Sequence, residues 1–272
     1  MKTPKNTGCA AGSKNYGAKF SHSELIGFSD GDSFINEDSI NRMVGFFNDE
    51  KVGAVTPMIL VKNQSSFFQK IQSIEYRIIS FTRKLLGYVG GIYVTPGPLA
   101  IYRRKYFDGV GRFDEKNLTE DIEITWNLVA HGYNVEMSVP AVATTIVPVR
   151  FRGWFAQRVR WNLGGIQTII KHRKAFFQRG MLGSFILPFF VFSWFLGVTG
   201  LIILFYRIIR SFLIKYFSVA YSIESQTAVL SLQDINLIPG ILVFFGIVLL
   251  IGSLFFTGIA LFYSREKGFK RV

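Results

Sequence analysis

Cysteine is all but missing from this chain. Cys9 stands alone among 272 residues, which excludes an internal disulfide and any zinc site built on thiolates. The three histidines, His22, His131 and His172, are scattered and read as ordinary surface or boundary residues. Acid is scarce too: 18 Asp and Glu stand against 31 Lys and Arg, a formal net charge of +13. Such an excess points to nucleic acid, anionic lipid or phosphorylated ligands. The sequence carries no nucleic-acid-binding module, no repeat and no low-complexity stretch, so nucleic acid is set aside. The N-terminus is polar and rich in Gly, Asn and Lys, without the pattern of a secretory signal.

What the chain does have is two long uncharged runs. Met181 to Tyr206 holds 26 residues without a charge and Ile235 to Ser264 holds 30, where a bilayer core needs about 20 as helix. Pro188, Gly197 and Gly200 are compatible with membrane helices. We therefore expect spans at 181–206 and 235–264, with both chain ends on one side. Eight Lys and Arg and no acid lie between Arg150 and Arg179, and Arg265, Lys267, Lys270 and Arg271 follow the second run, against Arg207, Arg210 and Lys215 between the runs. By the positive-inside rule the N-terminal domain and the basic tail (265–272) are cytoplasmic and the loop 207–234 is extracytoplasmic. The chain is thus expected to be a multi-pass protein of the cell membrane. The basic excess before the first span favours lipid headgroups and a phosphate-bearing ligand.

About 180 residues remain for one soluble domain. Leu25–Ser29 reads as a strand ending in the turn Asp30-Gly31-Asp32, and Asn36 as the cap of a helix from about Glu37 to Phe47. Val52–Val61 reads as a strand. Phe67, Ile71, Ile74, Ile78, Phe81 and Leu85 are spaced three and four apart, so Phe67–Leu86 is an amphipathic helix. Gly90–Arg103 is extended around a Pro96-Gly97-Pro98 turn. Thr119 caps a helix that Gly132 ends, and Val135–Ile146 holds one or two more strands. Strands alternating with helices indicate an α/β domain over 1–150, followed by a basic, aromatic interfacial segment over 151–180.

Asp-Gly-Asp at a strand end is first a turn sequence; it is also two hard oxygen ligands of the kind Mg²⁺ or Mn²⁺ takes beside a diphosphate. Glu120-Asp121 in a first helical turn complements the dipole, or supplies a general base at Asp121. Gln157-Arg158-Val159-Arg160-Trp161, 36 residues after Asp121, is a helix lying on lipid, or a cation cluster for a diphosphate. Arg158 and Arg160 cannot share a helical face; one can meet the diphosphate while the other meets headgroups or an acid.

In order along the chain, Asp30-Gly31-Asp32, Thr95-Pro96-Gly97-Pro98 to Tyr102-Arg103-Arg104, Gly111-Arg112-Phe113-Asp114-Glu115, Leu118-Thr119-Glu120-Asp121 and Gln157 to Trp161 resemble the motifs of membrane-embedded family 2 glycosyltransferases, the group of cellulose, hyaluronan, chitin and poly-N-acetylglucosamine synthases. The resemblance runs from about Lys14 to the second span. It implies a partial GT-A (Rossmann-like) domain before two membrane helices, and transfer of a sugar from a nucleotide-sugar donor to a glycan or lipid hydroxyl with inversion. By the same resemblance Asp30 and Asp32 hold the metal and donor diphosphate, and Asp121 is the base. Glu120, Gln157, Arg160 and Trp161 bind substrate. It further implies a nucleotide-binding half, with a sheet left open at one edge, that the 29 residues before Asp30 do not supply and a partner chain would. A non-catalytic membrane subunit that binds a partner or a nucleotide sugar is the second reading.

Overall fold

The computed structural model describes residues 8–178, 180–225 and 241–264. It divides into two compact units, one of Met1–Pro188 with Thr257–Val272 and one of Phe189–Phe256.

The first unit is built on five strands, β1 (Leu25–Phe28), β2 (Ser33–Ile35), β3 (Val52–Val61), β4 (Ala100–Arg103) and β5 (Asn134–Thr145), in the order β1-β4-β3-β5-β2. Only β3 and β5 run parallel; β1–β4, β4–β3 and β5–β2 are antiparallel. The sheet is therefore mixed, with β1 and β2 at its edges. Alternate residues of the central strands feed two cores, as the two-residue period of a strand requires. Ala54, Met58, Ala100 and Tyr102 face one; Val55, Ile59, Leu99 and Ile101 face the other.

Eight helices accompany the strands among the described residues: α1 (Ala10–Ala18), α2 (Asn41–Val44), α3 (Phe67–Gly87), α4 (Arg104–Gly109), α5 (Glu120–Ala130), α6 (Phe151–His172), α7 (Leu187–Ser225) and α8 (Ile241–Tyr263). Asn36 does not cap a helix from Glu37. The Ser39 hydroxyl donates to the Val142 carbonyl (2.8 Å) and accepts from its amide (3.0 Å). The Asn36 amide also reaches that carbonyl. These bonds hold the segment along β5, so β2 forms and the helix begins only at Asn41. The extended stretch from Gly90 narrows to β4, with irregular chain before it. Gly132 does close α5, at a φ of +82°.

α3 carries a capping box: the Gln69 amide donates to Ser66 Oγ and Ser66 N to Gln69 Oε1. Its amphipathic spacing is real, yet its orientation is inverted. The buried residues are Gln69, Gln72, Ser73, Ser80 and Arg83, while Phe67, Ile71, Ile74 and Leu85 are exposed. The inner polar groups are bonded to the strands and the loop beyond them: Gln69 to Val147 O, Gln72 to Pro148 O and Ser80 to Ile59 O.

Two helical stretches are long and apolar enough to cross a membrane, Leu182–Glu224 and Phe244–Tyr263, with mean hydropathies of 2.2 and 2.4. Only 11% and 6% of their most apolar windows are buried, which is unlike the core helix of a soluble protein. The first helix does not stop at Tyr206 as the charge pattern suggested. It continues through Arg207, Arg210 and Lys215 to Ser225, because Lys and Arg are good helix formers and no Gly or Pro follows Gly200 in it. At 39 residues it is about 58 Å long, roughly twice a bilayer core. The remainder of the 207–234 loop, the start of the second run and the 265–272 tail lie outside the described residues.

Candidate active site

The site is assembled from four chain segments at the end of β1. The Asp30 amide donates to Gly97 O (3.0 Å), and Ser29 Oγ to Pro98 O (2.9 Å). The Asp30-Gly31-Asp32 turn is thereby seated on the Thr95–Pro98 loop. The loop comes so close that a Cβ at position 97 would fall 2.1 Å from Asp30 Oδ2 and displace that carboxylate. The same loop holds the start of α5: Thr95 N and Oγ1 bond to Thr125 Oγ1, Thr95 Oγ1 meets Tyr102 OH at 2.7 Å, and Thr125 Oγ1 donates to Asp121 O at 2.6 Å.

Across this frame lies Lys14 of α1. Its Nζ is 2.9 Å from Asp30 Oδ1 and 3.1 Å from Glu120 Oε1. Burial opposes its charge, but Asp30 and Glu120 outweigh that and raise its pKa above the usual lysine value. Asp121 sits half-buried in the first turn of α5. Burial, then the adjoining Glu120 carboxylate, push its pKa up to about 6, against the opposing pull of the Ile122 amide and Lys14. Its carboxyl is thereby brought toward the range where a carboxylate makes an effective general base.

Asp30, Glu120 and Asp121 thus come together. Asp32 shares the turn with Asp30 but points to solvent, its nearest bonded partner being Ser33 Oγ at 3.5 Å. Gln157, Arg160 and Trp161 lie on α6. Gln157 Oε1 is buried without a hydrogen-bond partner and Arg160 is exposed. The acid that the sequence left open belongs to Arg158: its Nη2 pairs with Glu75 Oε2 of α3 at 2.5 Å, and its guanidinium lies 4.2 Å from the Trp161 ring centroid.

Helix α6 is pinned directly onto the Thr119-Glu120-Asp121 turn. Asn117 Nδ2 bonds to Thr168 Oγ1, Leu118 N to Gln167 Oε1, and the α-carbon of Gly164 sits against the Thr119 side chain. Thr119 consequently makes no side-chain cap; its hydroxyl is turned to Asn117 Oδ1 (3.2 Å). Deeper in, Glu123, fully buried, meets Lys171 Nζ at 2.6 Å, and Lys171 also reaches Asp114 at 2.7 Å.

Sequence reasoning missed Lys14, Glu123 with Lys171, and Arg83. Arg83 is 4% exposed with Nε and Nη1 lacking hydrogen-bond partners. Burial lowers its pKa, while Tyr93, Asp121 and Tyr76 act to raise it. Lys14 and the Glu123–Lys171 pair needed a fold to find, because their partners lie far off in sequence.

Residues 25–257 match the sequence profile of glycosyl transferase family group 2. The chain belongs to that family. Among relatives of this group 2 member, poly-β-1,6-N-acetyl-D-glucosamine synthase of Staphylococcus aureus (strain COL) is 30% identical over 163 residues, 59% of this chain and 40% of the relative. The synthase of the same name from Staphylococcus epidermidis is 30% identical over 181 residues, 66% of this chain and 44% of the relative. The chain therefore matches less than half the length of these relatives. A mannosyltransferase from Pyrobaculum calidifontis, solved with GDP-mannose and Mn²⁺, superposes with a TM-score of 0.48 at 20% identity, over 61% of this chain and 44% of its own.

Proposed function

We propose that this family 2 member transfers a sugar from a nucleotide-sugar donor to an acceptor hydroxyl with inversion, in the synthesis of a polysaccharide or glycolipid. The observation that carries the reading is the carboxylate set on one hydrogen-bonded frame: Asp30 and Glu120 bridged by Lys14, with Asp121 beside them poised to titrate near neutrality. Asp121 takes the proton of the acceptor hydroxyl as that oxygen attacks the anomeric carbon. The attack comes from the face opposite the leaving diphosphate, which inverts the centre.

Asp30 and Asp32 would hold Mg²⁺ or Mn²⁺. The Lys14 ammonium on Asp30 Oδ1 supports a cation-facing role for this carboxylate. Among the described residues no group of three His, Cys, Asp or Glu side chains forms a metal cluster, so a cation there would need the rest of its ligands from diphosphate and water. Once bound it would neutralise charge on the departing diphosphate. Arg160, exposed on α6, is the cation left to reach that diphosphate, with Gln157 and Trp161 flanking donor and acceptor, and Glu120 keeping Lys14 in place.

The acceptor is a glycan or a lipid, and the relatives' name makes a nucleotide of N-acetylglucosamine the first donor to assay. The apolar helices anchor the chain in the cell membrane with the catalytic domain in the cytoplasm, which the basic residues flanking the first span support. A partner chain supplying a nucleotide-binding half would add along β1, whose outer edge pairs with no strand among the described residues and faces a groove lined by Lys14, Gly17, Leu25 and Gly27. The test is transfer from radiolabelled nucleotide sugars in membranes, with Asp30→Asn as control. Metal-dependent transfer lost in the variant supports the reading. Donor binding without transfer in the wild type would instead favour a non-catalytic binding subunit.

A further inference from the structure

A lysine is almost never buried unless it is paired, yet Lys14 ends in the middle of the site proposed to hold a cation. Its place is set by the chain around it. Ala11 and Ala18 bury one side of α1, and Cys9 Sγ accepts from Gly12 N at 3.4 Å to start the helix. The neighbouring Asn15 locks the helix in position: its Nδ2 donates to Phe113 O at 2.8 Å and its Oδ1 accepts from Phe113 N at 3.1 Å. The Lys14 side chain leaves this fixed base and carries its ammonium past the Phe113 ring, 5.6 Å from the centroid.

The ammonium is held from two elements. Nζ lies 2.9 Å from Asp30 Oδ1, just past β1, and 3.1 Å from Glu120 Oε1, at the start of α5; the Lys14 and Glu120 side chains are each only 11% exposed. The two carboxylates of the Asp30-Gly31-Asp32 turn are therefore in different states. Asp32 is open to solvent, whereas Asp30 is already neutralised by an ammonium. Like charges repel at this range, most strongly where water is excluded. A divalent cation and the ammonium cannot both sit on Asp30 Oδ1.

We propose that Lys14 is a built-in counter-ion occupying the cation's place on Asp30, so that a divalent cation loads only by displacing it. The inference rests on the reading that Asp30 and Asp32 hold the cation, and adds a residue of α1 that competes for the same oxygen. Loading is then an exchange. The incoming cation takes Asp30 beside the open Asp32, and the ammonium withdraws to Glu120, which keeps it paired. A lysine suits this role, since its flexible stem and three rotatable donors let it leave one carboxylate while holding another. With no cation bound, the same ammonium balances Asp30 and Glu120, which would otherwise face each other uncompensated in a largely buried site. The cost of that balance is a weaker hold on a free cation.

The test reads Mn²⁺ binding to the full chain in detergent by electron paramagnetic resonance, where free Mn²⁺ gives the signal and bound Mn²⁺ loses it, so no transfer reaction is involved. Wild type is compared with Lys14→Met and Lys14→Gln, which remove the charge, and with Lys14→Arg, which keeps it. Asp30→Asn in each background defines the binding that belongs to the site, and thermal melts check that each variant folds. The expected result is an Asp30-dependent Kd for Mn²⁺ lower by on the order of tenfold in both neutral variants, the effect of removing one competing charge-assisted hydrogen bond. Lys14→Arg should stay near the wild-type value. Equal Asp30-dependent affinity in wild type and the neutral variants overturns the inference and leaves the cation site standing. Weaker binding in folded neutral variants means that Lys14 shapes Asp30 for the cation, and also overturns it. If Asp30→Asn changes Mn²⁺ binding in no background, the cation site falls, and the inference with it. Two neutral replacements of different shape guard against one that fails to fold.

Discussion

Asp121→Asn separates chemistry from stability. The carboxyl is held at a pKa of about 6, against 3.8 for the ordinary group, a rise of about two units, and each unit is about 1.4 kcal/mol. Keeping Asp121 ionised in the fold therefore costs up to about 3 kcal/mol. Since the folded pKa lies above the unfolded one, the cost is absent below about pH 3.8 and complete above about pH 6. Asparagine keeps the shape and drops the charge. At pH 7.5 the variant should melt higher, by up to about 10 °C at roughly 2–4 °C per kcal/mol for a chain of this size, and the gain should vanish near pH 4. Transfer should fall on the order of 10²–10⁴-fold with donor binding retained, while wild-type transfer should decline as pH drops through about 6. Thermal melts in detergent across pH, beside transfer and donor-binding assays, read all of this. A variant that melts lower at pH 7.5, or that transfers at the wild-type rate, refutes the electrostatic reasoning and the base assignment respectively.

Gly164→Ala puts a methyl 2.3 Å from Thr119 Oγ1, so α6 must lift from the Thr119-Glu120-Asp121 turn at a cost of about 1–3 kcal/mol, lowering both melting temperature and transfer. Gly97→Ala crowds Asp30 Oδ2 and should weaken metal-dependent donor binding, by calorimetry, at least about tenfold; unchanged binding would remove Asp30 from the donor site. Glu75→Gln unpairs Arg158 but leaves it partly solvated, so the melting temperature should fall by the equivalent of about 1–2 kcal/mol, with donor binding unaffected.

The central strands and long helices were legible because each is written in a local apolar pattern: β3 begins and ends where its apolar run does, and α3 within a residue of the expected bounds. What periodicity cannot convey is direction. The stripe of α3 announced an amphipathic helix and not that the stripe faces outward, since that depends on Gln69, Gln72 and Ser80 finding acceptors beyond the helix. The turn at Asn36 failed for a related reason: Ser39 bonds to Val142, 103 residues away, and a cap has no hold against that. The acids of the site were visible as motifs, whereas the lysine between them was not. Lys14 reaches Glu120 across 106 positions, and nothing near either residue signals the pairing.

The central claim, a single displacement driven by Asp121, is tested most directly by the anomeric configuration of the product. Membranes containing the chain are supplied with an α-linked nucleotide sugar and a divalent cation, and the new linkage is read by nuclear magnetic resonance. The account predicts a β-linked product from the wild type and almost none from Asp121→Asn. An α-linked product, or an undiminished β-linked one from Asp121→Asn, would contradict it.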